Sequence, residues 1–263
     1  MSDLAYFINQ ITKNGDFKVT EKSPWITIGG SYPGALSAWF RYKYPHLTVG
    51  SIASSAVILA IEDFKDFDEQ MYTSSMLSGD YCAQAINASN AKVESILDSP
   101  DGEAFKAQFK GGDKLKDNEF LFFWIDSIVG TIQYGKRTDL CNSLKDKSAD
   151  DQFAFFVNLA KTENEVWEYG SYYLKDSSFG DENRQNARSW YYQSCTEYGF
   201  WQTPSDRHPL RSSRLNLNFY KTFCNDSFGN GMWPKVSRKN IEYGGLNQKS
   251  FNLIMTNGVE GKN

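Results

Sequence analysis

Apolar positions change period twice in the first sixty residues. Residues 2–13 set Leu4, Ile8 and Ile11 at helical spacing beside Tyr6 and Phe7, and Asn14-Gly15 supplies a stop, which predicts an amphipathic helix. A short apolar run at 25–28 reads as a buried strand. Two glycines and Ser31 follow, then a helix-forming stretch at 35–42 that Pro45 terminates. Residues 49–55 are small and apolar enough for a second buried parallel strand. From about 63 to about 202 the pattern is helical, with apolar residues recurring at three and four in 81–97, 120–132 and 150–163, and core packing explains that recurrence first. The remainder is rich in Gly, Asn and Ser until 251–256 reads as a strand running into Asn257-Gly258. Alternating strands and helices interrupted by a helical insertion predict an α/β fold. The expected organisation is a sheet-forming part at 1–62, an inserted helical part at 63–202 and a return to the sheet at 203–263.

Composition narrows the partners. The chain has 263 residues, 40% of them hydrophobic, enough for a full core. Its 28 basic and 32 acidic residues give a net charge of -4, without the electrostatic footprint of a nucleic-acid or anionic-membrane binder. The 16% aromatic share suggests broad amphipathic surfaces or a lined cleft. No run approaches the roughly 20 apolar residues that span a bilayer, so no membrane insertion is expected. The first eight residues lack the basic and apolar regions of a signal peptide. Four dispersed cysteines, Cys82, Cys141, Cys195 and Cys224, form no C-x-x-C pair, which argues against a metal or redox centre and for no cofactor. Two disulfides of a secretory protein and four isolated buried thiols both fit that count. Asn87-Ala88-Ser89 and Asn225-Asp226-Ser227 are N-glycosylation sequons.

The chemistry centres on Ile28-Gly29-Gly30-Ser31-Tyr32-Pro33-Gly34. A strand that delivers a serine through a tight, glycine-flanked turn into a helix is how α/β-hydrolases hold a nucleophile. Gly29, Gly30 and Gly34 supply room for the turn, and the Tyr32 N–H is placed to donate to an oxyanion. Pro33 departs from the general G-x-S-x-G pattern but is acceptable near a helix start. A plain Gly-Ser loop is the competing reading; a phosphate cradle lacks its Lys-Ser/Thr ending. A serine nucleophile needs a base, and the only histidines are His46, just after the elbow helix, and His208, in a polar loop before the last strand. Neither stands where the histidine of this class falls in chain order.

Residues 29–41, Lys43-Tyr44-Pro45-His46, Ser54-Ser55-Ala56, Asp63-Phe64, Gln133-Tyr134, residues 190–199 and Thr256-Asn257-Gly258 together resemble the serine carboxypeptidase family of lysosomal Pro-X carboxypeptidase, dipeptidyl peptidase II and thymus-specific serine protease. Pro33 looks nearest the thymus-specific branch. The resemblance covers nearly the whole chain. It implies an α/β-hydrolase core with an inserted helical cap at 63–202, Ser31 as nucleophile, and a Ser-Asp-His mechanism on peptides, often cutting after proline near a terminus. It also implies a lysosomal, vacuolar or secreted parent protein and admits a homodimer. Gln133, Tyr134 and Glu197 become candidate substrate-binding residues; the alternative packs the first two within the cap and pairs Glu197 structurally. By the same resemblance Cys195 pairs with Cys224, leaving Cys82 with Cys141.

The sequence also departs from the family. The acid position, which follows Asn257-Gly258 after two further residues, holds Gly261, with Glu260 one residue early as a substitute acid, and the segment expected to carry the catalytic histidine does not follow. The family's signal peptide and early strands do not precede the first helix. The expectation is a partial chain of a serine peptidase with little turnover of its own. A catalytically dead relative serving as a peptide-binding or vestigial module, and an esterase or lipase of the same fold, are the alternatives.

Overall fold

The computed structural model describes residues 1–14, 16–162, 166–178 and 182–258. In chain order the elements used below are α1 (Ser2–Asn14), β1 (Ile26–Gly30), α2 (Tyr32–Lys43), β2 (Gly50–Ser54), β3 (Ile61–Asp63), α3 (Lys65–Met76), α4 (Asp80–Leu97), α5 (Asp117–Gln133), α6 (Arg137–Leu144), α7 (Ala149–Thr162), α8 (Glu182–Gln193), β4 (Gly199–Trp201), α9 (Leu217–Phe228), α10 (Val236–Tyr243) and β5 (Leu253–Thr256). They fall into two compact units, Met1–Ala60 with Val236–Asn263 and Ile61–Lys235.

The first unit is built on a parallel sheet in the order β1-β2-β5. Gly29 pairs with Ala53 and Ala53 with Met255, while Ile28, Ile52 and Ile254 stand in one cross-strand row. Successive strand residues point to opposite faces, so Thr27, Gly29, Ser51 and Ala53 lie together on one face. There α2 packs with Ala35, Ala38 and Trp39 fully enclosed. Three hydroxyls seal that contact: Ser37 Oγ lies 3.0 Å from Thr27 Oγ1 and 2.8 Å from Ser51 Oγ. The C-terminal end of α2 is fixed by buried Arg41, whose guanidinium donates to the carbonyls of Phe251 (2.9 Å), Pro45 (2.8 Å) and Thr48. One side chain thereby ties the helix to the loops leading into β2 and β5. Helix α1 packs Ala5 and Ile8 on Phe40, with Trp25, Tyr44 and Leu47 around them.

The pattern at 25–28 predicts a buried strand, but Ile26 and Ile28 are 57% and 73% exposed. Among the described residues α2 covers one face of the sheet, and the isoleucines point to the other.

The second unit is almost wholly helical. Helix α5 is its axis: residues 120–125 are all buried, and a helix apolar all round belongs inside a bundle. Phe105, Phe109, Phe120, Phe123 and Trp124 interlock edge-to-face around it. Much of the aromatic share therefore fills this core rather than lining a cleft. Two buried disulfides cross-link the bundle, Cys82–Cys141 between α4 and α6 and Cys195–Cys224 between residue 195 and α9, closing spans of 59 and 29 residues. Loop closure on that scale contributes about 4 kcal/mol apiece.

The helical region expected to end near 202 extends to Lys235. Tyr220 stacks on Trp201 at 4.7 Å, Phe223 packs on Tyr191 and Cys224 is bridged to Cys195, so residues 203–235 are bound into the helical unit. Parallel pairing of β3 with β4, Ile61 opposite Gly199 and Asp63 opposite Trp201, is a further feature that three-residue strands do not announce in sequence.

Buried charge concentrates around Arg211. Its Nη2 donates to Asp126 at 2.7 Å, and Asp68 lies 3.9 Å from Nε. Asp68 Oδ2 accepts the backbone N–H groups of Ser205 (2.9 Å) and Leu210 (3.0 Å), fixing the loop after β4 to α3. Two carboxylates share one guanidinium here. Burial pushes both Asp68 and Asp126 above the usual carboxylate range, with Arg211 opposing the shift. A raised folded-state pKa means the folded form holds the proton more tightly, so this contribution to stability is full below about pH 4 and fades as pH rises through the raised values. Urea unfolding of the chain is expected to show a component that strengthens on acidification from neutrality. Asp126→Asn should flatten it while keeping an oxygen for Arg211, whereas an unchanged pH profile in Asp126→Asn contradicts this assignment.

Candidate active site

Ser31 sits where β1 becomes α2. Its N–H donates to the Ser54 carbonyl at 2.9 Å, prolonging the β1–β2 ladder by one residue, and its own carbonyl accepts Ala35 N–H at 3.1 Å, the first bond of the helix. The same residue therefore ends the strand and starts the helix. Its backbone meets both demands at φ 58° and ψ -128°, a conformation that costs a side-chain-bearing residue about 1–3 kcal/mol. Strand and helix hold it there, and Ser31 stands exposed at the carboxyl end of the parallel sheet. Open α/β sheets present ligands at that end.

The crossing is close enough to dictate neighbours. A Cβ on Gly29 would lie 2.0 Å from the Pro33 carbonyl oxygen, and one on Gly34 would lie 2.8 Å from that of Ser54. Both glycines are required by contact. Gly30 is not: its nearest neighbour to an added Cβ is Ser54 O at 3.9 Å, which corrects the expectation that all three make room. Pro33 is accommodated in the first turn of α2, where the N–H it lacks would have had no intrahelical acceptor. Tyr32 opens the helix, among the N–H groups that lack an intrahelical carbonyl and carry the positive end of the helix dipole. A strained, exposed hydroxyl beside a helix N-terminus is the geometry of a nucleophile poised next to an oxyanion site.

Among the described residues of the sheet-bearing unit no histidine stands beside Ser31. His46 lies in an exposed turn before β2, in a pocket with Trp25 and Val49 at the amino ends of β1 and β2. Five strand residues, about 16 Å at strand rise, separate that end from Ser31. His208, in the helical unit, has Nδ1 3.0 Å from Glu69 Oε1 and its ring stacked on Tyr72 at 4.3 Å. Glu69 also accepts Ser205 Oγ at 2.6 Å and meets Arg207 at 3.2 Å, and these partners hold its carboxyl below the usual range against partial desolvation. His208 thus belongs to a clasp between α3 and the loop after β4.

Gln133 ends α5 and Tyr134 follows it, 80% exposed, so this pair does not pack into the bundle interior. Glu197 lies half-buried in a π-helical turn, residues 194–198, a form frequent at functional positions. Glu260 and Gly261 lie outside the described residues. Asn87 is exposed on α4 and Asn225 half-buried in α9. Among the described residues no cluster of His, Cys, Asp or Glu could hold a metal ion, and no helix is long and apolar enough to cross a membrane. Sequence reasoning missed the Thr27–Ser37–Ser51 hydroxyls and Arg41; the signal was polar residues recurring on a helix face that is otherwise Ala, Trp and Phe.

Residues 1–260 match the profile of a family described as serine carboxypeptidase S28. The Arabidopsis thaliana protein named "Probable serine protease EDA2" is 34% identical over 246 residues, covering 90% of this chain and 49% of its own length. Human thymus-specific serine protease is 28% identical, covering 92% of this chain and 53% of its own length, and human lysosomal Pro-X carboxypeptidase is 27% identical, covering 98% and 56%. The chain spans about half the length of these relatives.

Because Gly29 and Gly30 differ in what a methyl group would meet, two matched substitutions separate close packing from glycine content. Gly29→Ala is expected to destabilise the sheet-bearing unit by about 3 kcal/mol, and Gly30→Ala by less than about 1 kcal/mol. Equal losses in chemical unfolding would show that the crossing is looser than described.

Proposed function

The chain belongs to the serine carboxypeptidase S28 family, a family of serine peptidases, and from that premise we propose that Ser31 is its acyl-forming nucleophile and the Tyr32 N–H an oxyanion donor. The observation that carries this reading is the φ 58° backbone of Ser31, a strain that a plain Gly-Ser loop has no reason to keep. The substrates are peptides, cut near a terminus. The names of two relatives, lysosomal Pro-X carboxypeptidase and thymus-specific serine protease, support proteolysis, and the first supports cleavage next to proline. In this reading the helical unit is the cap of an α/β-hydrolase core, and Gln133, Tyr134 and Glu197 contribute to peptide binding. Two buried disulfides and the relative named as lysosomal support a lysosomal, vacuolar or secreted protein.

Turnover by the 263 residues is a separate matter. A triad needs an imidazole on the serine, yet His46 lies at the far end of its sheet and His208 is clasped by Glu69 and Tyr72. Loss of the base typically lowers kcat by about 10⁴–10⁶. We therefore expect a chain that holds a nucleophile but turns over slowly. Glu260 as acid cannot restore rate without that base.

A fluorophosphonate probe tests the assignment directly, since it reports an activated serine rather than turnover. Slow labelling at Ser31, far below the rate of a complete triad enzyme and abolished in Ser31→Ala, is expected, with Xaa-Pro peptide hydrolysis several orders of magnitude below that of such an enzyme. Labelling that persists in Ser31→Ala would overturn the nucleophile. Faster hydrolysis of short acyl esters than of peptides would favour an esterase.

A further inference from the structure

Strand β2 ends as β1 does. Ser31 N–H reaches the Ser54 carbonyl at 2.9 Å and Ser55 N–H reaches the Thr256 carbonyl at 2.6 Å, so each strand gains one ladder bond beyond its last residue. Each then leaves the sheet through a serine at positive φ, 58° for Ser31 and 47° for Ser55. Glycine and asparagine are the usual occupants of that region, and serine enters it at a cost. At Ser31 the turn into α2 accounts for the strain. No helix begins at Ser55, so its strain is explained by where the chain goes next.

Side chains alternate across a strand, so β2 running on extended past Ser54 would carry Ala56 to the face opposite Ala53. Instead Ala56 is buried in one cluster with Ala53 and with Ala38 of α2. The turn at Ser55 therefore brings the chain back over the α2 side of the sheet. It arrives at the Ser31 crossing: a Cβ on Gly34 would meet the Ser54 carbonyl oxygen at 2.8 Å and the Ala56 methyl at 3.2 Å. Residues 54–56 thus hold Ser31 through its N–H and the first turn of α2 through Gly34.

We propose that Ser55 is a positioning residue for Ser31: its left-handed backbone places the Ser54 carbonyl and the Ala56 methyl so that the Ser31 side chain is held at the N-terminus of α2. Ser55 makes and breaks no bond to substrate; it acts through Ser31, and this role in catalysis rests on the reading of Ser31 as the nucleophile. An extended residue at 55 would withdraw Ala56 from Gly34 and leave Ser31 free to relax from φ 58°, and its side chain would swing away from the helix N-terminus.

The test uses the full chain carrying Ser31→Cys, whose thiol reports its own surroundings whatever Ser31 does to substrates, with iodoacetamide alkylation followed against pH well below the melting temperature. Ser55→Val in that chain, a β-branched residue that positive φ excludes, should raise the thiol's titration to the free value of about 8.5 and slow alkylation at pH 7 by about tenfold. Ser55→Asn, which accepts positive φ, should restore both to the level of Ser31→Cys alone. Ala56→Gly keeps the turn but removes the methyl at Gly34, and should slow alkylation by more than about twofold; it decides the matter where Ser55→Val does not fold. A turn with a structural role alone would lower the melting temperature in Ser55→Val without moving the titration. That result overturns the proposal, as do equal losses in Ser55→Asn and Ser55→Val, or unchanged alkylation in Ala56→Gly. Fluorophosphonate labelling that survives in Ser31→Ala would sink the nucleophile reading and leave the thiol results standing, so the two failures are told apart.

Discussion

The close crossing of β1 and α2 governs the sheet-bearing unit. A serine that must both complete a strand ladder and open a helix has one narrow conformation available, and it is a costly one for any residue with a Cβ. That conformation persists only because both elements are fixed independently. The ladder to β2, the hydroxyl seal of Thr27, Ser37 and Ser51, and the Arg41 bonds to three carbonyls supply that fixation. Gly29 and Gly34 let the elements approach, and the approach in turn forbids larger residues there. Strain, packing and exposure of the Ser31 hydroxyl are consequences of one geometric requirement.

The helical unit solves a different problem with different means. Its stability comes from an aromatic interior around α5 and from two enclosed disulfides. Within that apolar frame it retains a charged centre in which Asp68, Asp126 and Arg211 hold the loop after β4 against α3 and α5. Buried ion clusters of this kind contribute less to stability than to specifying one arrangement of the chain. Replacing them by apolar groups would leave the loop's N–H groups without acceptors.

Sequence reading reached the elements whose physics is local. Residues 2–13, 81–97, 120–132 and 150–163 carry strong apolar periodicity, and each lies within a residue or a few of a helix. The turn at Ser31 is legible because glycine, serine and proline mark backbone conformations directly; the Cys195–Cys224 pairing followed from the family resemblance, and Cys82–Cys141 only as the pair that remained. What escaped depends on contacts distant in sequence. Helices α9 and α10 were hidden by Asn, Ser and Gly that cap and flank them, as when Asn216 accepts the N–H groups of Asn218 and Phe219. The β3–β4 pair joins segments some 140 residues apart and is too short to show a period. Gly30 looks like Gly29 in the sequence, and only the approach of β1 to α2 tells the two apart. Arg41 is one more residue of a helix-forming stretch in the sequence, and only the fold shows it donating inward.

Ser31 is held strained and exposed at a helix N-terminus whether or not a base is present. The most direct measurement is the pH dependence of alkylation of the thiol in Ser31→Cys, since the four native cysteines are enclosed in disulfides. A thiol at that position should titrate clearly below the free value of about 8.5, because the helix N-terminus favours the thiolate. Ser31→Cys combined with Gly29→Ala, which breaks the crossing, should return it to the free value. A thiol that titrates near the free value in both proteins would contradict the central claim.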